Sequence, residues 1–215
     1  MHKTEKTVWS SHPRPQLKRQ KYITLNGIWK CNGKDIRVPF PPQSELSGYE
    51  GDVTDVLAYE TSFQIPKDFT EEKILLHFGA VDQIGEVWVN GRFIGKHEGG
   101  YLPFYFDITH AVQKFGENHL CVKATDALDL NYPYGKQCKK RGGMWYTPVS
   151  GIWQTVWLEN VPARYIEKVK ITPDLTGIDL KTVFAGACIA TSDDGDCDFI
   201  EKEGDITYEI SLPDG

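Results

Sequence analysis

No stretch of this chain is apolar over the roughly 20 residues that a membrane-crossing helix needs, so no such helix is expected. Basic residues are not in excess either. Lys and Arg number 24 against 30 Asp and Glu, a net charge of −6, which argues against general affinity for nucleic acid. The cluster Lys139-Lys140-Arg141 is accordingly read as a solvated loop. Helical periodicity is absent, and the stretch from Ile108 to Phe115 allows one turn at most. Cysteine is sparse: five residues at 31, 121, 138, 188 and 197, with no CxxC pair and no close His partner. That spacing excludes the usual zinc sites, and the odd count favours reduced thiols in a cytosolic protein. The segment from Met1 to Lys6 is polar with no apolar stretch behind it, so no signal peptide is visible and a cytoplasmic location is expected. HExxH, GxSxG, phosphate-loop and dinucleotide fingerprints are all missing, and no metal or cofactor is expected.

What is present is a succession of short strands. With 40% hydrophobic residues and six Trp, disorder is excluded. The clearest signal is Asn90-Gly91 between two alternating segments, a two-residue hairpin turn. It predicts the pairs Val89/Arg92, Trp88/Phe93 and Val87/Ile94, with large apolar groups on both faces and the hairpin inside a packed sandwich. Further strands are read at 23–25, 28–30, 59–65, 73–78, 119–124 and 152–159, separated by Gly, Pro and Asn turns. Residues 1–20 form an extended arm, because Pro13 and Pro15 oppose a helix. Many short strands at near-regular spacing indicate an all-β fold, an antiparallel β-sandwich or jelly roll, over residues 21–161.

Val161-Pro162 marks a boundary. Beyond it, alternation from Tyr165 to Ile171, a strand near Leu180 to Ala190 and a half-buried strand from Ile206 to Leu212 suggest a second sandwich over 162–215. About three strands are too few to close an immunoglobulin-type sandwich, so this unit is expected to be incomplete. Its open edges invite dimerisation or aggregation.

Candidate chemistry concentrates in residues 134–159. Trp145 and Tyr146 stand beside Lys136 and Gln137, the mixture that carbohydrate recognition uses: aromatic faces stack on sugar C–H groups while fixed polar groups bond hydroxyls. Trp153, Thr155, Trp157 and Glu159 share one strand face. For Trp157, packing ranks above sugar contact; for Trp145 and Trp153 both remain open. The His97-Glu98 pair and the Asp126/Asp129 pair are read as loop residues, since a retaining glycosidase needs two carboxylates about 5–5.5 Å apart across a scissile bond and nothing supports such a pairing.

The series Leu25-Asn-Gly-Ile-Trp29, Tyr59-Glu-Thr-Ser-Phe63, Phe78-Gly-Ala-Val-Asp82, Val87-Trp-Val-Asn-Gly91, His97-Glu-Gly-Gly-Tyr-Leu-Pro-Phe104, Phe106-Asp-Ile-Thr109 and Ser150-Gly-Ile-Trp-Gln-Thr-Val-Trp-Leu158 resembles the N-terminal sugar-binding domain of glycoside hydrolase family 2, the β-galactosidase, β-glucuronidase and β-mannosidase group. The resemblance covers roughly residues 12–161. It implies a galactose-binding-like jelly roll, then an immunoglobulin-like sandwich, then a catalytic (β/α)8 barrel that carries both reactive Glu residues. On that basis no catalytic residue is expected here, and the partners are a β-glycoside and the barrel. Several family members supply a sugar-touching Asp just before the Ser-Gly-Ile motif. Here that stretch, Gly142 to Val149, holds no carboxylate, which leaves Lys136, Gln137, Trp145, Tyr146 and Trp153 as the substrate-facing candidates. The competing readings are a stand-alone carbohydrate-binding module and a purely structural domain.

Overall fold

The computed structural model describes residues 12–128, 131–139, 142–173 and 178–185. Its strands are β1 (Tyr22–Thr24), β2 (Gly27–Cys31), β3 (Lys34–Val38), β4 (Val56–Gln64), β5 (Lys73–Phe78), β6 (Val81–Asp82), β7 (Ile84–Val89), β8 (Arg92–Glu98), β9 (Phe104–Asp107), β10 (Glu117–Thr125), β11 (Gly151–Ile152), β12 (Val156–Val161), β13 (Tyr165–Pro173) and β14 (Ile178–Ala185). A six-stranded sheet runs β3-β2-β4-β10-β7-β8 and a four-stranded sheet runs β1-β12-β5-β9. Every pairing between the strands is antiparallel.

Period-two alternation builds the larger sheet. Along β4, Leu57, Tyr59 and Phe63 turn inward while Ala58, Glu60 and Ser62 face out, and on β10 Leu120, Val122 and Ala124 do the same. The partner sheet answers with Ile74, Leu76 and Phe78 from β5 and Val156 and Leu158 from β12, which join the same core. Each such aliphatic side chain contributes about 1.5–3 kcal/mol through burial. β12 is buried on both faces, because its second face is covered as well. There Trp157 stacks on His77 (ring centroids 4.8 Å apart), and the arm and β13 close over them. Packing, the reading preferred for Trp157, is what surrounds it.

Four details depart from the sequence-based expectations. The hairpin keeps Val89/Arg92 and Trp88/Phe93, but Val87 then pairs with Gly95, and the register shift leaves Ile94 as the extra residue of a bulge. Next to the bulge, the Phe106 ring lies where a Cβ on residue 95 would be, so glycine is the residue that pairs with Val87. Trp88 and Phe93 contact each other on the outer face, where Phe93 is exposed, rather than inside a sandwich. The strand expected at 152–159 is broken at Trp153–Thr155, so β11 joins β6 while β12 joins β5, and Trp153 leaves the Trp157 face. In the arm, Pro15–Leu17 forms a single 3-10 turn, with proline at its start where the missing N–H costs nothing. β14 (Ile178–Ala185) overlaps the strand expected near 180–190, of which 186–190 lie outside the described residues. The expected strand at 206–212 falls outside the described residues.

The arm is held by a buried carboxylate. Glu159, fully buried, accepts from Trp157 Nε1 (2.9 Å) and Arg19 Nε (3.3 Å). His12 Nε2 lies 3.5 Å from Oε1 and His77 Nε2 3.4 Å from Oε2. The Arg19 guanidinium also donates to the Ile166 carbonyl, which ties β13 to the same point. Burial pushes Glu159 up, but His77, Trp157 and the Arg14 charge outweigh it and hold the carboxyl at about 2.

Candidate functional site

The opposite environment exists at another edge of the sandwich. The two-residue strands β6 and β11 pair Gly151 with Asp82 and Ile152 with Val81, so the Phe78–Asp82 and Ser150–Leu158 motifs meet there. Gly151 has φ +77°, and a Cβ on it would overlap Tyr59 Oη, so only glycine fits. Ser150 is fixed by Gln43, whose amide donates to Ser150 Oγ (2.6 Å) and accepts from Ser150 N (3.3 Å). This clamp draws the proline-rich loop onto β11.

Asp82 is 5% exposed. Among the described residues its carboxylate receives no hydrogen bond. It faces Gly100 so closely that a Cβ there would overlap Oδ1. The Gly100 carbonyl in turn accepts from Trp153 Nε1 (2.8 Å), and Gly99 N donates to Gln83 O (2.9 Å), so the β8–β9 connection is drawn down over the carboxylate. Burial, then the nearby Asp126 charge, push Asp82 up to about 7. Asp126 is half-buried rather than a plain solvated loop residue: Oδ1 accepts from Leu128 N (2.9 Å), yet burial still raises its pKa. Asp129 lies outside the described residues.

Of the residues singled out from sequence, four come together and one stands apart. Tyr146 N donates to the Lys136 carbonyl (2.8 Å), and Gln137 forms a bridge with Tyr146. Gln137 Oε1 accepts from Val149 N (2.6 Å), which uses its carbonyl to hold the loop. Trp145, 38% exposed, lines a cavity of about 300 Å³ with Leu128, Tyr134, Gln137, Cys138 and Lys139. Tyr146 is 68% exposed and Lys136 is exposed. Trp153 belongs instead with Gly100 and Asp82. His97 and Glu98, read as loop residues, lie on β8; His97 stacks on Phe104 (4.1 Å) and is pulled below its ordinary value by burial.

Asp82 is the residue that sequence reasoning missed. It was visible only as the last letter of a strand-like motif. The available signal was a carboxylate closing an apolar run that pairs with Ser-Gly-Ile. Chemically, a buried carboxylate that finds no donor among the described residues is suited to receive hydroxyl groups.

The antiparallel sandwich thus carries a buried carboxylate held under Gly100 and, in a separate loop, exposed aromatic and polar side chains. The family model for the glycosyl hydrolases family 2 sugar binding domain matches residues 17–162. The chain belongs to glycoside hydrolase family 2 through this sugar-binding domain. A β-galactosidase of Thermoanaerobacter pseudethanolicus is 31% identical over 144 residues, 64% of this chain and 19% of that protein. A β-glucuronidase of Bacteroides fragilis is 32% identical over 120 residues, 51% of this chain and 17% of that protein. In structure, the β-glucuronidase of Ruminococcus gnavus in complex with D-glucuronic acid superposes with a TM-score of 0.64 and 22% identity, over 80% of this chain and 36% of that one; this likeness speaks for the fold. The chain thus spans about a fifth or less of the length of these two curated relatives.

Proposed function

We propose that this chain is the non-catalytic, sugar-framing portion of a retaining exo-β-glycosidase of the β-galactosidase/β-glucuronidase type, whose two reactive acids stand on a (β/α)8 barrel of the same longer protein. The observation that carries the reading is Asp82: a carboxylate this buried, without a donor among the described residues, is costly to the fold, and a sugar hydroxyl supplies what it lacks. Trp153, whose indole N–H holds Gly100 against Asp82, and the loop of Lys136, Gln137, Trp145 and Tyr146 are the side chains proposed to complete the wall around the sugar.

Hydroxyl donors favour the ionised carboxylate, so sugar binding lowers the Asp82 pKa and releases a proton. Affinity therefore rises as the pH is raised through about 7. The test is the gene product that continues beyond this domain, assayed on chromogenic β-glycosides with and without Asp82→Asn. A drop of about tenfold or more in kcat/KM supports the reading. Unchanged kcat/KM removes Asp82 from it. Glycan binding by a gene product without a barrel would favour the stand-alone module instead.

The division into an arm (1–20), a jelly roll (21–161) and an incomplete immunoglobulin-like unit (162–215) is part of the proposal. So is a cytoplasmic location, for which the odd cysteine count speaks. Self-association through the open strand edge near Ile206–Leu212, which lies outside the described residues, is likewise proposed. A monomer in sedimentation would count against it.

A further inference from the structure

Asn-Gly occurs three times in the chain, at 26–27, 32–33 and 90–91, and the fold treats the three asparagines differently. Two of them stand in the same kind of turn. Asn32-Gly33 closes β2 onto β3, and Asn90-Gly91 closes β7 onto β8. Each is a two-residue loop with both residues at positive φ, 46° and 81° in the first, 52° and 76° in the second. A Cβ on either glycine would meet nothing within 4 Å, so neither turn is crowded. The asparagine side chains are what differ. Asn90 is half-buried and bonded at both ends of its amide: Nδ2 donates to Ala111 O and to Asn118 Oδ1 (both 2.8 Å), and Oδ1 accepts from His119 N (2.9 Å). Asn26, also half-buried, is bonded the same way, Nδ2 to Thr155 Oγ1 (3.2 Å) and Oδ1 from Val156 N (3.1 Å). Asn32 is exposed. Its Oδ1 accepts from Ala58 N (2.9 Å), but its Nδ2 finds no carbonyl acceptor among the described residues and stands beside the Tyr49 hydroxyl.

We infer that Asn32 is a site of spontaneous covalent modification, deamidation through a cyclic imide, and that the fold protects Asn26 and Asn90 from the same reaction. The Gly33 backbone nitrogen gives up its proton and bonds to Asn32 Cγ; the Cγ–Nδ2 bond breaks and ammonia leaves. Water then adds to one of the two imide carbonyls and opens the ring, leaving aspartate or isoaspartate at 32. Asparagine is thermolabile by this kind of chemistry, and a following glycine has no side chain to hinder its nitrogen. All three Oδ1 atoms hold a backbone N–H, which steadies the oxyanion formed on attack, so that contact does not separate the sites. The leaving nitrogen does. At 90 and 26 Nδ2 must give up acceptors and depart from a half-buried place, which slows the reaction by about tenfold or more. At 32 it departs into water. The isoaspartyl product adds one carbon to the backbone of a two-residue loop. Cys31 and Lys34 then no longer close the hairpin in register, and β3, the edge strand that buries Ile36 and Val38, loosens.

The test is a timed incubation of the folded protein in heavy-oxygen water at mildly alkaline pH, followed by proteolytic digestion and mass spectrometry. Each deamidation installs one heavy oxygen, so a single digest reads residues 26, 32 and 90 together. The same protein unfolded in urea supplies the reference rate for each site. The quantity that decides is the folded rate divided by the urea rate. It is expected to be at least about tenfold larger at Asn32 than at Asn26 or Asn90, with isoaspartate among the products at 32. A smaller ratio, or an Asn90 that reacts as fast as Asn32 in the folded protein, overturns the inference. Amide hydrogen exchange then reads the consequence. Protein aged to isoaspartate at 32 is expected to exchange its β3 amides faster than fresh protein, whereas Asn32→Asp, which adds the charge without lengthening the backbone, leaves them unchanged. Equal exchange in aged and fresh protein overturns the loosening of β3.

Discussion

Glu159 and Asp82 are both carboxylates buried in one sandwich, and the fold treats them oppositely. Glu159 receives an indole N–H and a guanidinium, with two imidazoles beside it, and is held at about 2. Asp82 receives nothing among the described residues, lies near a second carboxylate and is pushed up to about 7. The first arrangement fastens the arm and β13 to the sandwich. The second leaves a carboxylate without a donor among the described residues, which is what a binding position looks like before its ligand arrives. Burial alone therefore does not distinguish a structural carboxylate from a ligand-facing one; the donors around it do.

The pH signs follow from the same contrast. Glu159 lies below its ordinary 4.5, so its contribution is complete above 4.5 and is lost as the pH falls toward about 2. Burial pulls His12 and His77 below 6.5, so both also cost stability as the pH falls beneath 6.5 and the unfolded imidazoles take up protons. Asp82 works in reverse: its penalty is full above about 7 and fades as the pH falls toward 3.8.

The sharpest way to break the comparison is to remove Glu159. Glu159→Ala leaves Arg19 without its carboxylate partner and is expected to cost about 3–5 kcal/mol in urea unfolding at neutral pH. A loss under about 1 kcal/mol would reduce the cluster to an incidental contact. Next comes Asp82→Asn, which should stabilise the chain by about 2–4 kcal/mol near pH 8, with the gain vanishing near pH 4. A gain independent of pH would show that charge is not the cause. Trp157→Phe keeps a ring against His77 but removes the Nε1 donor to Glu159, and about 1–2 kcal/mol should be lost. Trp145→Ala should change the unfolding free energy little, by less than about 0.5 kcal/mol in the same urea measurement. A large loss would make Trp145 a structural residue.

Much of the sandwich was legible because its strands obey strict alternation. β5 was read at its full extent, and the inward set Leu120, Val122 and Ala124 follows from period two alone. The hairpin turn was legible for the same reason, but its bulge was not: the Phe106 ring that excludes a side chain at Gly95, next to the bulge, arrives from another strand. The break at Trp153–Thr155 was hidden because residues 152–159 alternate convincingly, while their hydrogen bonds divide between β6 and β5. The site was partly legible. Lys136, Gln137, Trp145 and Tyr146 announce themselves by composition within one loop. Asp82 does not, because its environment is assembled from Gly100, Asp126 and Trp153, which are distant in sequence and silent about burial.

The account turns on the unlike states of the two carboxylates, and site-resolved carboxyl titration by NMR reads both in one sample. Asp82 titrating at about 7 and Glu159 at about 2, with the Asp82 value falling when a glycoside is added, is the predicted result. Two carboxyls titrating together near 4, unmoved by ligand, would contradict it.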